Sequence, residues 1–126
     1  MGKVIAIRGA TTAESNTKDS IVEATKEMLE ELVSANDLDV KDIISAFFTT
    51  TKDLNTQFPA VAARKIGWEF VALMCSHEMF IEDAQPMCIR VMVHVNSDKD
   101  VKLINNVYLN DAINLRKRGF EPKTNN

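Results

Sequence analysis

The longest predicted strand is the stretch Met87–Asn96, which reads MCIRVMVHVN. Every second residue from Met87 onwards is apolar, which predicts a strand with one wholly apolar face. The opposite face carries four other side chains: Cys88, Arg90, Met92 and His94. Arg90 is therefore expected in the middle of a strand, between two side chains that are not charged, where full solvation is not expected.

Four further stretches predict strands. Lys3–Arg8 (KVIAIR) is short, rich in β-branched residues and followed by a glycine, and Ile43–Thr50 is β-branched and aromatic. Phe70–Met74 predicts a buried strand, and Ala112–Leu115 predicts a last one. The segment from residue 75 to residue 86 is rich in turn formers and separates the buried strand from the longest one.

Three segments predict helices. Lys18–Ser34 has apolar residues at helical spacing and is the strongest of them. A proline at the start and a glycine after the end predict a short helix at Pro59–Ile66. The polar residues Ser97–Asp100 can cap a further helix at Val101–Val107. Strands and helices alternate, with two strands adjacent near the middle, so we expect an α+β fold with a mixed β-sheet and helices mainly on one face.

The composition limits the class of protein. The chain has 126 residues, of which 45% are hydrophobic, so we expect one domain at residues 1–116 and a polar tail at residues 117–126. A net charge of −3 argues against binding to nucleic acid. The longest apolar run, Phe70–Cys75, is far shorter than the roughly 20 residues of a membrane span. No signal peptide is expected, so the predicted location is cytoplasmic, with reduced thiols.

The arginines stand out among the charged residues. Arg8 ends the first strand, Arg64 lies on the short helix, and Arg116 follows the last predicted strand. The guanidinium of Arg90 cannot deprotonate, and its burial without a partner would be costly. Either an internal salt bridge to Glu78 or an anionic ligand could satisfy it, since the planar fork of arginine matches a carboxylate. For Arg64 and Arg116 alone, a surface ion pair is the better interpretation.

The segment Cys75–Glu78 (CSHE) suggests two other kinds of site. A Cys–His nucleophile pair two residues apart has poor geometry. A metal site made from this segment and His94 lacks the ligand spacing of known zinc sites. His94 is expected to be an ordinary, partly buried side chain, and Tyr108 a core ring with a satisfied hydroxyl. No metal is therefore predicted.

Eight short segments, in order along the chain, resemble the monofunctional chorismate mutases of the AroH class. They cover the chain from about Val4 to Arg116, and all eight together are highly specific. The segments are IRGATT (Ile7–Thr12), Phe58-Pro59-Ala60, Arg64, Gly67-Trp68, Cys75 with Glu78-Met79, Cys88-Ile89-Arg90-Val91-Met92, Val107-Tyr108-Leu109 and Leu115-Arg116.

The resemblance implies a homotrimer with a pseudo-α/β-barrel arrangement and three active sites in clefts between neighbouring subunits. The implied reaction is the Claisen rearrangement of chorismate to prephenate, on the way to phenylalanine and tyrosine. No metal and no cofactor take part. The implied ligand is thus a small molecule, and no nucleic acid or membrane is an expected partner.

The resemblance also implies a role for each matching residue. Arg90 is expected to face the ether oxygen and the side-chain carboxylate, which Arg8 and Tyr108 help to hold. Glu78 and Cys75 are expected to hold the ring hydroxyl. The predicted catalytic residues are Arg90, Arg8 and Glu78.

The other implied substrate-binding residues line the ring or come from the adjacent subunit. Leu73, Met74 and Leu115 line the ring, and Arg116 completes the set from the matching segments. The adjacent subunit is expected to supply four residues: Phe58, Ala60, Val61 and Arg64. Val61 stands where family members often have lysine, and Met74 where they often have threonine. A backbone N–H could replace the first lost contact.

The implied reaction is unimolecular, so the enzyme need only restrain the substrate and stabilise charge. Two alternative functions remain open from the sequence. One is a small trimeric imine or enamine deaminase, which also binds a carboxylate through an interface arginine but which the segments IRGATT and CSHEM do not suit. The other is a non-catalytic trimer that binds a carboxylate metabolite.

Overall fold

The computed structural model describes residues 3–115, and these contain five strands and two α-helices. In chain order the elements are β1 (Lys3–Thr12), α1 (Lys18–Ala35), β2 (Ile43–Thr50), α2 (Ala60–Lys65), β3 (Ala72–His77), β4 (Cys88–Ser97) and β5 (Val107–Tyr108). Three short 3₁₀ helices complete them: Val40–Asp42, Val101–Leu103 and Asn110–Asn114. Arg116 and the predicted tail lie outside the described residues, so the domain boundary at residue 116 stays a prediction.

The strands form one mixed sheet in the order β3-β2-β4-β1-β5. β4 lies at the centre and runs antiparallel to both β1 and β2, whereas β3 and β5 pair in parallel at the two edges. The predicted α+β fold with a mixed sheet is therefore confirmed. β1 continues to Thr12, beyond the predicted end at Arg8, because its backbone keeps pairing with β4 as far as Cys88.

The two helices cover one face of the sheet. The side chain of Thr17 accepts a hydrogen bond from the backbone N–H of Ser20 and caps the start of α1. α1 then buries an apolar stripe against the sheet: Ile21, Val22, Met28, Leu29 and Leu32. Gly9 allows the close approach of α1 to β1, since a Cβ there would lie 3.2–3.3 Å from side-chain atoms of Val91, Leu32 and Met28.

The predicted alternation of β4 is confirmed. Ile89, Val91, Val93 and Val95 are buried on the helix-covered face, whereas Arg90 and Met92 are exposed on the other. We call that other side of the sheet the open face. It also exposes apolar side chains of the remaining strands: Val4, Phe47 and Met74. Within one chain, the core therefore lies on one side of the sheet only.

One predicted strand differs in its bounds and burial, and two other predicted elements are wrong. The buried strand at Phe70–Met74 is β3, which starts later and is mostly exposed because it forms an edge of the sheet. The helix at Val101–Val107 is a single 3₁₀ turn, because Asn105 and Asn106 are drawn into hydrogen bonds with Asn36 and Arg8. The last strand at Ala112–Leu115 is the 3₁₀ helix that follows β5.

A buried asparagine joins the end of α1 to the segment before β5. Asn36 is 2% exposed, and its amide donates to the carbonyl oxygens of Leu32 and Asn105, both at 2.9 Å. Its side-chain oxygen accepts from the N–H of Asn105 at 2.8 Å. The partners Asn36 and Asn105 are 69 residues apart in the chain, so this contact fixes β5 to the helical layer.

Neither α-helix is both long and apolar enough to cross a membrane, as far as residues 3–115 are concerned.

Candidate functional site

The open face contains a cavity of about 180 Å³ over the centre of the sheet. β1, β2, β4 and β5 contribute to its walls, together with the segment that follows β3. The lining residues are Arg8, Gly9, Ala10, Phe47, Thr49, Glu78, Arg90, Val91, Met92 and Tyr108. Four of the predicted site residues therefore line the same cavity: Arg8, Glu78, Arg90 and Tyr108.

Strand register explains this convergence. Ala10 of β1 and Thr49 of β2 are the pairing partners of Arg90 on either side of β4. Tyr108 of β5 pairs with Ala10 on the far side of β1. Arg8 lies two residues before Ala10 and therefore points to the same side of the sheet. Most of the cavity lining thus consists of side chains that alternate with the buried core.

Arg90 and Glu78 form an ion pair beside the cavity. The Nη1 atom of Arg90 lies 3.3 Å from Oε2 of Glu78, and the hydroxyl of Thr49 donates to the same oxygen at 2.5 Å. The Arg90 side chain is nevertheless 48% exposed, against 25% for Glu78. Arg90 therefore has the internal acid of the first explanation, and it also borders a cavity, as the second explanation requires.

Hydrogen bonds from the residues on either side of β5 hold Tyr108 beside β1, the strand that carries Arg8. The side-chain oxygen of Asn106 accepts the backbone N–H of Arg8 at 2.9 Å. On the other side of Tyr108, the N–H of Leu109 donates to the carbonyl of Ala10 at 2.9 Å. These bonds anchor a two-residue strand that pairing alone would hold weakly.

The model of the chorismate mutase type I family matches residues 4–118 of the sequence. The chain belongs to that family. This confirms the predicted resemblance, and with it the prediction of a chorismate mutase, an isomerase of aromatic amino acid biosynthesis.

Individual relatives agree with the family assignment. The chain is 38% identical over 111 residues to chorismate mutase AroH of Bacillus subtilis, with 87% of each chain covered. It is equally similar to chorismate mutase AroH of Thermus thermophilus, covering 87% of this chain and 91% of that one. A solved chorismate mutase from Clostridium thermocellum is 53% identical with a TM-score of 0.85, and the match covers 86% of this chain and 97% of that chain.

Some residues expected in the mutase site lie elsewhere in the single chain. Met74 is on the open face, paired with Phe47. Leu73 and Cys75 instead pack against the core on the helix side, and the thiol of Cys75 is hydrogen-bonded to the backbone of Ala60. Phe58 and Cys75 line a second cavity of about 350 Å³. The side chain of Cys75 is therefore not brought together with Glu78 in this chain.

The two predicted polar contacts on α2 are engaged within the chain. Arg64 donates through Nη1 to three backbone carbonyls, those of Trp68, Glu69 and Val71, and so fastens the segment between α2 and β3. The backbone N–H of Val61, which could have replaced the missing lysine, donates to the carbonyl of Phe58 at 3.1 Å. Leu115 is half-buried just after the last 3₁₀ helix.

The Cys75 thiol and His77 are not arranged as an activated nucleophile pair in this mutase. Burial raises the pKa of the Cys75 thiol, opposed by a hydrogen bond from the backbone of Ala60, and a reactive thiol needs the opposite shift. Nδ1 of His77 lies 3.2 Å from the hydroxyl of Thr50. Across residues 3–115, no three His, Cys, Asp or Glu side chains are grouped in a way that could hold a metal ion.

Sequence reasoning missed three prominent residues of the cavity wall, namely Phe47, Thr49 and Met92. Met92 could have been found from the alternation of β4 alone, since it shares a face with Arg90. Phe47 and Thr49 needed the register between β2 and β4, which joins residues more than 40 positions apart. No local pattern carries that information.

Proposed function

We propose that the cavity on the open face binds chorismate and that Arg90 is the cation that accelerates its rearrangement to prephenate. The observation that carries the proposal is Arg90 itself, a permanent cation in mid-strand that borders a cavity with a second arginine and a tyrosine. Chorismate has two carboxylates, and a guanidinium matches a carboxylate in shape and charge.

Restraint of the substrate is the first part of the proposed mechanism. The enolpyruvyl arm must fold over the ring before a bond can form between their ends. Arg8, Arg90 and Tyr108 line the same cavity and would clamp the carboxylate of that arm. Holding the reacting atoms in this near-attack arrangement removes much of the entropic part of the barrier.

Charge stabilisation is the second part. As the C–O bond breaks, negative charge develops on the ether oxygen, and the guanidinium of Arg90 would lie against it. A donor placed in advance stabilises this developing charge more than it stabilises the ground state, which lowers the barrier. One such donor contributes about 3–4 kcal/mol, whereas a rate gain of about 10⁶ needs roughly 8 kcal/mol. Restraint must supply the remainder.

Glu78 binds the ring hydroxyl in this proposal and moves no proton. Its carboxylate accepts from Thr49 and pairs with Arg90 through Oε2, so Oε1 is the oxygen that we assign to the substrate. The reaction transfers no proton to or from the protein. A solvent deuterium isotope effect on kcat that disappears in Glu78→Gln would contradict this assignment.

We further propose that the active unit is a homotrimer with sites between subunits, arranged as a pseudo-α/β-barrel. The open face supports this assembly, because Val4 (58% exposed) and Met74 (65%) form part of an apolar surface that a monomer would leave in water. Phe58 is 68% exposed and borders a different cavity of its own chain. A neighbouring subunit is the natural donor of this ring to the site, together with Ala60, Val61 and Arg64.

Loss of chorismate absorbance with purified protein, measured with and without a chelator, tests the reaction. We expect turnover that the chelator does not change. Arg90→Ala should lower kcat by at least about 10²-fold, and Arg90→Lys should also be poor, because it keeps the charge and loses the planar fork. Citrulline at position 90 keeps hydrogen bonding without charge, and near-normal turnover with it would refute the electrostatic mechanism.

Sedimentation combined with a dilution series tests the assembly. Specific activity should fall in step with the loss of trimer, because each site needs two subunits. Full activity in monomers would refute the interface site. Incubation with an imino acid separates the mutase from the alternative deaminase, and binding of chorismate without conversion would indicate the non-catalytic alternative. A cytoplasmic location stays a prediction.

A further inference from the structure

We infer that Thr49 is a positioning residue of the reaction, which holds the carboxylate of Glu78 so that Arg90 keeps an open side towards the substrate. The inference rests on the proposed roles of Glu78 and Arg90 and adds a residue that the sequence did not single out. Thr49 is half-buried, borders the cavity and lies on β2 directly beside Arg90 on β4.

The carboxylate of Glu78 has two competing neighbours at a single oxygen. The hydroxyl of Thr49 donates to Oε2 at 2.5 Å, whereas Nη1 of Arg90 lies 3.3 Å from the same atom. Charge-assisted N–H···O bonds are normally about 2.7–2.9 Å long. The short contact is therefore with the neutral threonine, and the contact with the cation is long.

The backbone leaves only the side chain of Glu78 to be positioned. Its N–H donates to the carbonyl of Thr50 at 2.8 Å, immediately after β3 ends at His77. The Cα atom of Glu78 is thus fixed beside β2. The direction of the carboxylate is then chosen by its hydrogen-bond partners, of which Thr49 is the closer.

An unrestrained carboxylate at this point would interfere with catalysis. Carboxylates and guanidinium groups readily form two parallel hydrogen bonds, and that arrangement would occupy the edge of Arg90 needed by the ether oxygen. The bond from Thr49 holds Oε2 away from such a paired fork. It also leaves Oε1 of Glu78 available for the ring hydroxyl. The Thr49 hydroxyl thus supports both proposed substrate contacts, that of Arg90 with the ether oxygen and that of Glu78 with the ring hydroxyl.

Thr49→Val is the informative variant, because valine keeps the β-branched shape and removes only the hydroxyl. We expect kcat to fall about tenfold, with KM changed by less than about threefold. Thr49→Ser restores the hydroxyl and should recover kcat to within about threefold of wild type. Urea unfolding of each variant, monitored by circular dichroism, shows whether the fold is retained.

A double-mutant cycle with Glu78→Ala separates positioning from a merely structural role. If Thr49 acts through Glu78, the Thr49→Val change should alter kcat by less than about twofold once the carboxylate is gone. Thr25→Val is the matched control, because the Thr25 hydroxyl donates to the backbone carbonyl of Ile21 at 2.7 Å within α1, and neither residue borders the cavity. It should leave kcat unchanged.

Two results would overturn the inference: a Thr49→Val enzyme with wild-type kcat, or a Thr49→Ser enzyme as slow as the valine variant. An equal loss of kcat from Thr49→Val in the Glu78→Ala background would also overturn it. Failure of the proposed function looks different, since the wild-type protein would then leave chorismate unchanged or would tolerate citrulline at position 90.

Discussion

The two faces of the sheet use the same strands for different purposes. On the helix-covered face, Ile89 and Phe48 are fully buried and packed by α1 and α2. On the open face, their neighbours Arg90 and Phe47 border a cavity and stay partly exposed. One face therefore stabilises the chain, and the other carries the cavity and the apolar surface to which we assign the ligand and the assembly. Changing residues that are adjacent in sequence should separate stability from activity.

Phe48→Ala should have the largest effect, because this ring is fully buried at the centre of the core. Truncating a buried phenylalanine costs about 3–5 kcal/mol of stability through lost contacts and a residual cavity. Urea unfolding monitored by circular dichroism measures the loss. The kcat of the fraction that stays folded should be close to that of wild type, and a selective loss of kcat would mean that the helix-covered face also takes part in the reaction.

Gly9→Ala tests how closely the helical layer approaches the sheet. The new methyl group would lie 3.2 Å from Val91 and 3.3 Å from Leu32 and Met28, so these side chains must shift. Overpacking of this kind costs about 1–3 kcal/mol. The free energy of unfolding is the measurement, and a variant as stable as wild type would show that the core can accommodate the extra volume.

Phe47→Ala is the partner experiment on the open face. The ring is 41% exposed and lines the cavity, so kcat/KM for chorismate should fall about tenfold, or about 1.4 kcal/mol in the barrier. The stability of the subunit should fall by less than half of the Phe48→Ala loss. Equal losses of stability from the two alanine variants would remove the distinction between the faces.

Ionisation of Cys88 should have the smallest of these effects, on the free energy of unfolding. Cys88 is an exception to the comparison of the two faces, because it shares the open face with Arg90 but is buried. Burial is the main cause that raises the pKa of its thiol to about 11, with Glu78 and Asp53 adding to the shift and Arg90 opposing it. An unfolded cysteine ionises near pH 9.0, so the folded state binds more protons between these values. The free energy of unfolding should therefore fall as the pH rises from 9 to 11.

At pH 10 this loss should amount to about 1 kcal/mol relative to pH 8. Urea unfolding at both pH values, compared between wild type and Cys88→Ala, isolates the contribution of the thiol from that of other groups. The same loss in Cys88→Ala would assign the pH dependence to a different residue.

The parts of the fold that the sequence predicted are those with a local signal. The alternation of β4 and the helical spacing of α1 identified both elements and placed Arg90 on the correct face. β5 was not predicted, and the bounds and burial of β3 were predicted wrongly, because edge strands are short and have weak patterns, and their pairing depends on distant residues. The segment at 101–107 has helical capping residues, but contacts of Asn105 and Asn106 with Asn36 and Arg8 override that preference.

The candidate site was predictable only in part, for a related reason. The resemblance to a family named Arg8, Glu78, Arg90 and Tyr108, and the structure gathers all four at one cavity. Thr49 could not be named, because its importance depends on the position of a carboxylate 29 residues later in the chain. The placement of Cys75 on the helix side likewise depends on the register of β3 with β2.

The order of the strands has a consequence for how the protein is made. β1 is synthesised before the other four strands, but both of its partners, β4 and β5, come from the last third of the described chain. The side chain of Asn36, just after α1, also lacks its hydrogen bonds with Asn105 until that residue has been synthesised. A nascent chain that stops before residue 88 has both α-helices and one parallel strand pair, β2–β3, but no central strand to join β1 to that pair. The sheet therefore completes only after β4 and β5 have been synthesised, and until then β1 lacks both of its strand partners.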